Sequence, residues 1–223
     1  MTSGIVLFDL DGTLVDPAGA ITGGIAGALE AHGVEVPSDE VLRGFVGPPL
    51  AASLQALPGV TEDLVPRLIT HYRDGYRQHG MAASRVYPGV SELLVELREA
   101  GCALAVATSK PEPIAMRLLE VQGIASLFDV ISGSDPDDAA PHPGKDAIIA
   151  SALDRLALPG WDAVMVGDRH FDVDGATRCG IPCIGVSWGY APDGELVEAG
   201  AEVVVDTAEE LREAIDDALG RDG

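Results

Sequence analysis

The feature that most constrains this 223-residue chain is a series of short apolar or β-branched runs, each stopped by a turn and separated from the next by helical spacing. Ile5 to Phe8, Cys102 to Ala107, Asp129 to Ile131, Ala163 to Val166, Cys183 to Val186 and Glu202 to Val205 have the length of strands rather than helices. Helical patterns lie between them: Val90 to Leu97, Pro113 to Gln122, Lys145 to Leu156, Asp174 to Cys179, Glu195 to Ala199 and Ala208 to Leu219. Strands alternating with helices in this way predict an α/β fold with a doubly wound parallel sheet.

The stretch from 16 to 85 does not follow the alternation. Ile21, Ile25 and Leu29 recur every four residues between Ala18 and His32, and Gly33 offers a C-cap. Further helical patterns at Asp39 to Gly44, Leu50 to Leu57 and Glu62 to His79 are separated by Gly47-Pro48-Pro49 and Leu57-Pro58-Gly59. This segment is expected to be an all-helical unit inserted after the first strand. The division is therefore 1–15 with 86–223 as one domain and 16–85 as the other.

Composition limits the function classes. With 47% hydrophobic residues the chain can bury a core, and a net charge of −22 argues against a nucleic-acid polymer as partner, since phosphate backbones are bound by surplus Lys and Arg. No apolar run has the length of a membrane span and no signal-peptide pattern opens the chain, so the expectation is a cytoplasmic protein, monomer or homodimer. Cys102, Cys179 and Cys183 lack metal-ligand spacing and read as core thiols. Lysine is scarce: only Lys110 and Lys145 occur, against twelve arginines, so any task requiring a compact ammonium has two candidates.

Ligands of a parallel sheet bind at the carboxyl ends of its strands. Here three strand tips carry polar clusters, Asp9-Leu-Asp11-Gly12, Thr108-Ser109 and Gly167-Asp168, with Lys145 opening a helix. Asp9, Asp168 and Asp172 supply oxygen ligands of the kind Mg²⁺ takes, while Asp174 reads as a helix-capping acid. Thr108, the amides around Ser109 and the Lys145 ammonium suit an anion such as phosphate. With those parts, Asp9 can attack phosphorus and form an aspartyl-phosphate. Asp11 can then protonate the leaving alkoxide and afterwards deprotonate the water that hydrolyses the intermediate.

Taken together, Asp9-Leu-Asp11-Gly12-Thr13, Thr108 after an apolar strand, Lys145 and Gly167-Asp168-Arg169-His170-Phe171-Asp172 resemble the motifs of the haloacid dehalogenase superfamily. The resemblance implies a Rossmann-like core with a helical cap, and Mg²⁺ held by the Asp9 side chain, the Asp11 carbonyl and Asp168, with Asp172 in support. Within the superfamily the chain looks like the phosphoglycolate phosphatase group, which includes members named 5′-nucleotidases. The segment Arg43 to Leu50 resembles that group's cap loop, which makes Arg43 and Gly47 the candidate specificity residues for a small phosphorylated metabolite.

One departure is that Lys145 is followed by Asp146, not by the proline often found there. Asp11 argues against a dehalogenase, and the absence of lysine from 16–85 argues against a Schiff-base hydrolase. A sugar phosphomutase uses the same core residues and is the alternative, ahead of a non-catalytic phosphometabolite-binding protein.

Overall fold

The computed structural model describes residues 4–135, 144–158 and 162–220. The first strand, β1 (Ile5–Phe8), is followed by β2 (Val15–Asp16) and the helices α1 (Ala20–Ala31), α2 (Asp39–Arg43), α3 (Leu50–Gln55), α4 (Val65–Gly75) and α5 (Met81–Ala83). Strand β3 (Arg85–Val86) returns the chain to α6 (Val90–Glu99), β4 (Ala103–Pro111), α7 (Glu112–Gln122), β5 (Val130–Ser134), α8 (Lys145–Leu156) and β6 (Ala163–Gly167). Helix α9 (His170–Cys179), β7 (Cys183–Val186), α10 (Glu195–Ala199), β8 (Val203–Val205) and α11 (Ala208–Ala218) complete the described chain.

Six strands form one sheet in the order β5-β4-β1-β6-β7-β8, and every pairing in it is parallel. Successive side chains of a strand point to opposite faces, so a strand covered on both sides must be apolar throughout. Val6, Phe8, Leu104, Val106, Val164 and Ile184 pack toward α6, α7 and α11, whereas Ile5, Leu7, Ala105 and Met165 pack toward α8 and α9. This two-sided burial explains why the strands read as continuous apolar runs. It also confirms the α/β doubly wound sheet expected from the alternation.

The sheet topology fixes where a site can lie. From β1 the chain builds outward through β4 to β5, then crosses back to β6 on the other side of β1 and continues through β7 to β8. The crossover direction therefore reverses at β1, and such a switch point opens a crevice at the strands' carboxyl ends. Phe8 is level with Val106 on one side and Val166 on the other, so Asp9 leaves the sheet level with Ala107 and Gly167.

The helical stretch differs from its sequence reading in two places. Asp16 and Val15 pair antiparallel with Arg85 and Val86, so the two crossings that frame α1–α5 form a small ladder of their own. A strand of two residues has no period to detect. The helix expected to run from Glu62 to His79 begins at Val65 and, after Gly75, continues as a π-turn from Tyr76 to Gly80. A Cβ at Gly80 would lie 2.5 Å from the Tyr76 ring, so the residue without a side chain lets that ring fold back over the turn. Gly33, at φ 72°, ends α1 as expected.

Candidate active site

The Asp9, Asp11, Thr13, Thr108, Lys145, Asp168, Arg169 and Asp172 side chains are all buried, although each is polar or charged. Burial of ionised groups is costly unless they are paired, so their partners identify the arrangement. The Lys145 ammonium lies 2.8 Å from Asp9 Oδ1 and 2.7 Å from Asp172 Oδ1. Asp168 accepts from the Thr13 hydroxyl at 3.1 Å and from the Tyr190 N–H at 2.8 Å. Asp172 accepts from the Arg169 N–H at 3.1 Å, closing the first turn of α9. Candidate oxygens of Asp9, Asp168 and Asp172 lie within 4.8 Å of one another.

Glycines allow this crowding. Gly12 has φ 92°, and a Cβ there would sit 2.2 Å from Asp168 Oδ2; a Cβ on Gly189 would approach the same carboxylate to 2.3 Å. Gly167 meets the Asp172 side chain in the same way, at 2.3 Å. Gly12→Ala is therefore expected to push Asp168 out of place. Strain and displacement should cost about 1–3 kcal/mol, and a divalent cation, if Asp168 is one of its ligands, should bind at least about tenfold more weakly. Thermal unfolding and calorimetric titration with Mg²⁺ would measure both, and wild-type affinity in the variant would show that Asp168 does not need this close fit.

The electrostatics are unbalanced. Burial pushes the Asp168 carboxyl well above the usual range, and Asp172 and Asp9 push it the same way. Burial also raises Asp172, which Lys145 partly offsets, leaving it pushed up to about 6. For Lys145 burial acts downward, yet Asp172 and Asp9 outweigh it and the ammonium is held above its ordinary value. Lys145 pairs with Asp9 and Asp172 and leaves Asp168 with no ion-pair partner among the described residues, so the cluster has a deficit of positive charge. A divalent cation matches both that deficit and the all-oxygen donor set.

Asp11 is held separately. Its Oδ2 lies 2.7 Å from the Lys110 ammonium, while its buried Oδ1 has no hydrogen-bond partner among the described residues. Burial raises the Asp11 carboxyl and Lys110 offsets only part of the rise. Lys110 in turn lies 4.4 Å from the centroid of the Tyr76 ring and donates to its hydroxyl at 3.4 Å. Lys110 is one of the two candidates for a compact ammonium, and its specific partner is set by the fold. The signal available was the scarcity of lysine: both lysines of the chain are buried against carboxylates at one sheet edge.

Asp9, Asp11, Thr108, Ser109 and Gly47 line a common cleft enclosing about 80 Å³. Phe45, Pro48, Tyr72, Tyr76 and Ile114 supply much of its apolar lining. Arg43 does not line this cleft; its guanidinium lies over the Tyr190 ring, 5.1 Å from the centroid. Tyr190 also donates its hydroxyl to Asp16 at 3.1 Å, and the Trp188 indole donates to the Thr13 carbonyl at 3.1 Å. Within the segment preceding Lys145, Pro141 to Pro143 lie outside the described residues.

Comparison with known proteins agrees with this geometry. The profile of the haloacid dehalogenase-like hydrolases matches residues 6–186. The chain is 40% identical over 213 residues to the protein named tyrosine-protein kinase PtkA of Mycobacterium tuberculosis, covering 95% of this chain and 72% of that one. It is 38% identical over 191 residues to a 5′-nucleotidase of Pseudomonas aeruginosa, with 86% of each chain covered. A crystal structure described as that of a predicted phosphatase from Clostridium acetobutylicum superimposes with a TM-score of 0.89 at 37% identity, covering 97% of this chain and 100% of the other. The fold, the clustered carboxylates and these similarities together establish that the chain belongs to the haloacid dehalogenase-like hydrolase family, among its phosphatases.

Proposed function

We propose that the protein is a Mg²⁺-dependent phosphatase that hydrolyses a small phosphomonoester through an aspartyl-phosphate on Asp9. The observation that carries this reading is the division of labour between the two lysines, Lys145 on Asp9 and Asp172 and Lys110 on Asp11. Lys145 engages one Asp9 oxygen and orients the carboxylate, leaving the other for in-line attack on phosphorus. As the new P–O bond forms and the ester P–O bond breaks, Asp11 gives its proton to the departing alkoxide. Its raised proton affinity suits that task. Asp11 then takes a proton from the water that attacks phosphorus; the P–O bond to Asp9 breaks, inorganic phosphate leaves and the Asp9 carboxylate is regenerated.

Asp9, Asp168 and Asp172 would hold the cation, with the Asp11 carbonyl as a further donor. When bound, Mg²⁺ supplies charge neutralisation for the transferring phosphoryl group. Thr108 and Ser109, in the C-terminal half of β4, and Lys145 are the phosphate contacts on the protein side. Residues 16–85 act as a cap over the core formed by 1–15 and 86–223. The β2–β3 ladder serves as its hinge, and the cleft wall of Phe45, Gly47 and Tyr76 meets the leaving group. Oxygen-donor chemistry and the 5′-nucleotidase relative both support a small phosphorylated metabolite as substrate.

Phosphate release should appear with one or more members of a panel comprising phosphoglycolate, 5′-nucleotides, sugar phosphates and pyrophosphate. It should disappear when divalent cation is chelated and return on adding Mg²⁺. Turnover that persists in excess chelator would sink the reading. Conversion of a sugar phosphate in the presence of its 1,6-bisphosphate, without phosphate release, would instead identify a mutase.

A further inference from the structure

Arg169 lies between Asp168 and Asp172 in sequence, but its guanidinium bonds to neither carboxylate. It is buried, and its Nη1 donates to the Val46 carbonyl at 2.6 Å. The other edge of the fork donates to Glu195, Nε to Oε1 at 2.8 Å and Nη2 to Oε2 at 3.4 Å. Glu195 Oε1 also accepts from the His170 N–H at 2.9 Å, so the carboxylate that grips the arginine is itself fixed to the start of α9. Val46 belongs to the 44–49 segment between α2 and α3, of which Phe45 to Pro48 line the same cleft as Asp9. Gly47 has φ 105°, and a Cβ there would lie 3.0 Å from Arg169 Cγ, so this segment rests directly on the arginine's aliphatic stem.

A planar guanidinium can satisfy a carboxylate on one edge and a carbonyl on another at once, whereas an ammonium offers a point charge without that fixed fork. We propose that Arg169 is a positioning residue that pins the 44–49 segment over the cleft. The turn presenting Asp168 and Asp172 would then also set the wall that meets the leaving group. The assignment rests on the phosphatase reading for its catalytic consequence, but not for its structural one. Arg169 touches no reacting atom in this scheme; it acts through the backbone at Val46.

Hydrogen exchange of the 44–47 amides, the ones this segment carries ahead of Pro48 and Pro49, tests the contact itself. Arg169→Met keeps the stem under Gly47 and removes the fork. Exchange in that segment should accelerate by about 10- to 100-fold, the effect of losing a charge-assisted hydrogen bond, while the sheet amides keep wild-type rates. Arg169→Lys should fall between the two. Glu195→Gln, which leaves Arg169 in place but weakens its anchor, should accelerate the same amides to a lesser degree, and it decides the matter if Arg169→Met fails to fold. With a substrate from the phosphate-release panel, KM should rise more than kcat falls in Arg169→Met, with partial rescue in Arg169→Lys.

Wild-type exchange at the 44–47 amides in folded Arg169→Met, or in Glu195→Gln where the first variant does not fold, would overturn the proposal. So would a kcat loss with unchanged KM. If the wild-type protein releases phosphate from no member of the panel, the phosphatase reading fails while the exchange measurement still decides the role of Arg169.

Discussion

Asp9→Asn is expected to abolish phosphate release, by about 10⁴-fold or more, without lowering the stability of the fold. The loss of activity follows from the nucleophile: an amide oxygen cannot form the acyl phosphate. The stability follows from the surroundings. Asp9, Asp168 and Asp172 are buried together, and Asp9 and Asp172 share the Lys145 ammonium, so converting Asp9 to a neutral amide removes like-charge repulsion while leaving an oxygen to accept from Lys145. Thermal unfolding in chelator should therefore place Asp9→Asn level with the wild type or above it. Retained phosphate release would remove Asp9 from the nucleophile's role. A large fall in melting temperature would show instead that the Asp9 charge is part of what holds the site together.

Much of the fold was legible because its signals are local and repeated. Runs such as Ile5 to Phe8 and Ala163 to Val166 are apolar on both faces, and only a strand covered on two sides requires that. The β2–β3 ladder was not legible, since two paired residues on each side carry no pattern and are joined only by tertiary structure. The π-turn at Tyr76–Gly80 escaped for a similar reason: its apolar spacing is that of the helix it interrupts.

At the site, the convergence of the strand tips follows from parallel topology, so Asp9, Thr108 and Asp168 could be brought together from sequence. Pairwise partners could not. Which carboxylate each lysine meets depends on side-chain reach across elements distant in sequence, so the pairing of Lys110 with Asp11 and Tyr76 follows from the fold alone. Arg43 illustrates the converse. Its place in a recognisable segment suggests a substrate contact, but its neighbour Tyr190, over whose ring it lies, comes from far along the chain and could not be read from that segment.

Lys145→Met should be the most destabilising of the site substitutions, and its cost should depend on pH and on divalent cation. Lys145 opens α8, and Gly175 of α9 brings its backbone so close that a Cβ there would be 2.9 Å from the lysine's own Cβ. Methionine keeps the packed stem and deletes only the ammonium. Breaking a buried ion pair from one side costs about 3–5 kcal/mol, which for a chain of this size lowers the melting temperature by roughly 6–20 °C.

The sign of the pH effect follows from Asp172. Its carboxyl is raised by burial from 3.8 in the unfolded chain to about 6 in the fold, even with Lys145 present. Between those values the folded state binds more protons than the unfolded one, so stability falls as pH rises through that window. Without the ammonium, the folded value moves higher still. The deficit of Lys145→Met should thus be largest near pH 8 and shrink toward pH 5, where the acids can take protons instead of partners. Mg²⁺ at millimolar concentration should recover more stability in Lys145→Met than it adds to the wild type, because it would neutralise the same carboxylates. Melting curves at pH 5 and pH 8, each with chelator and with Mg²⁺, test every part of this. A variant as stable as the wild type at pH 8 in chelator would mean that Lys145 does not neutralise the buried carboxylates, and the charge argument for a divalent site would lose its basis.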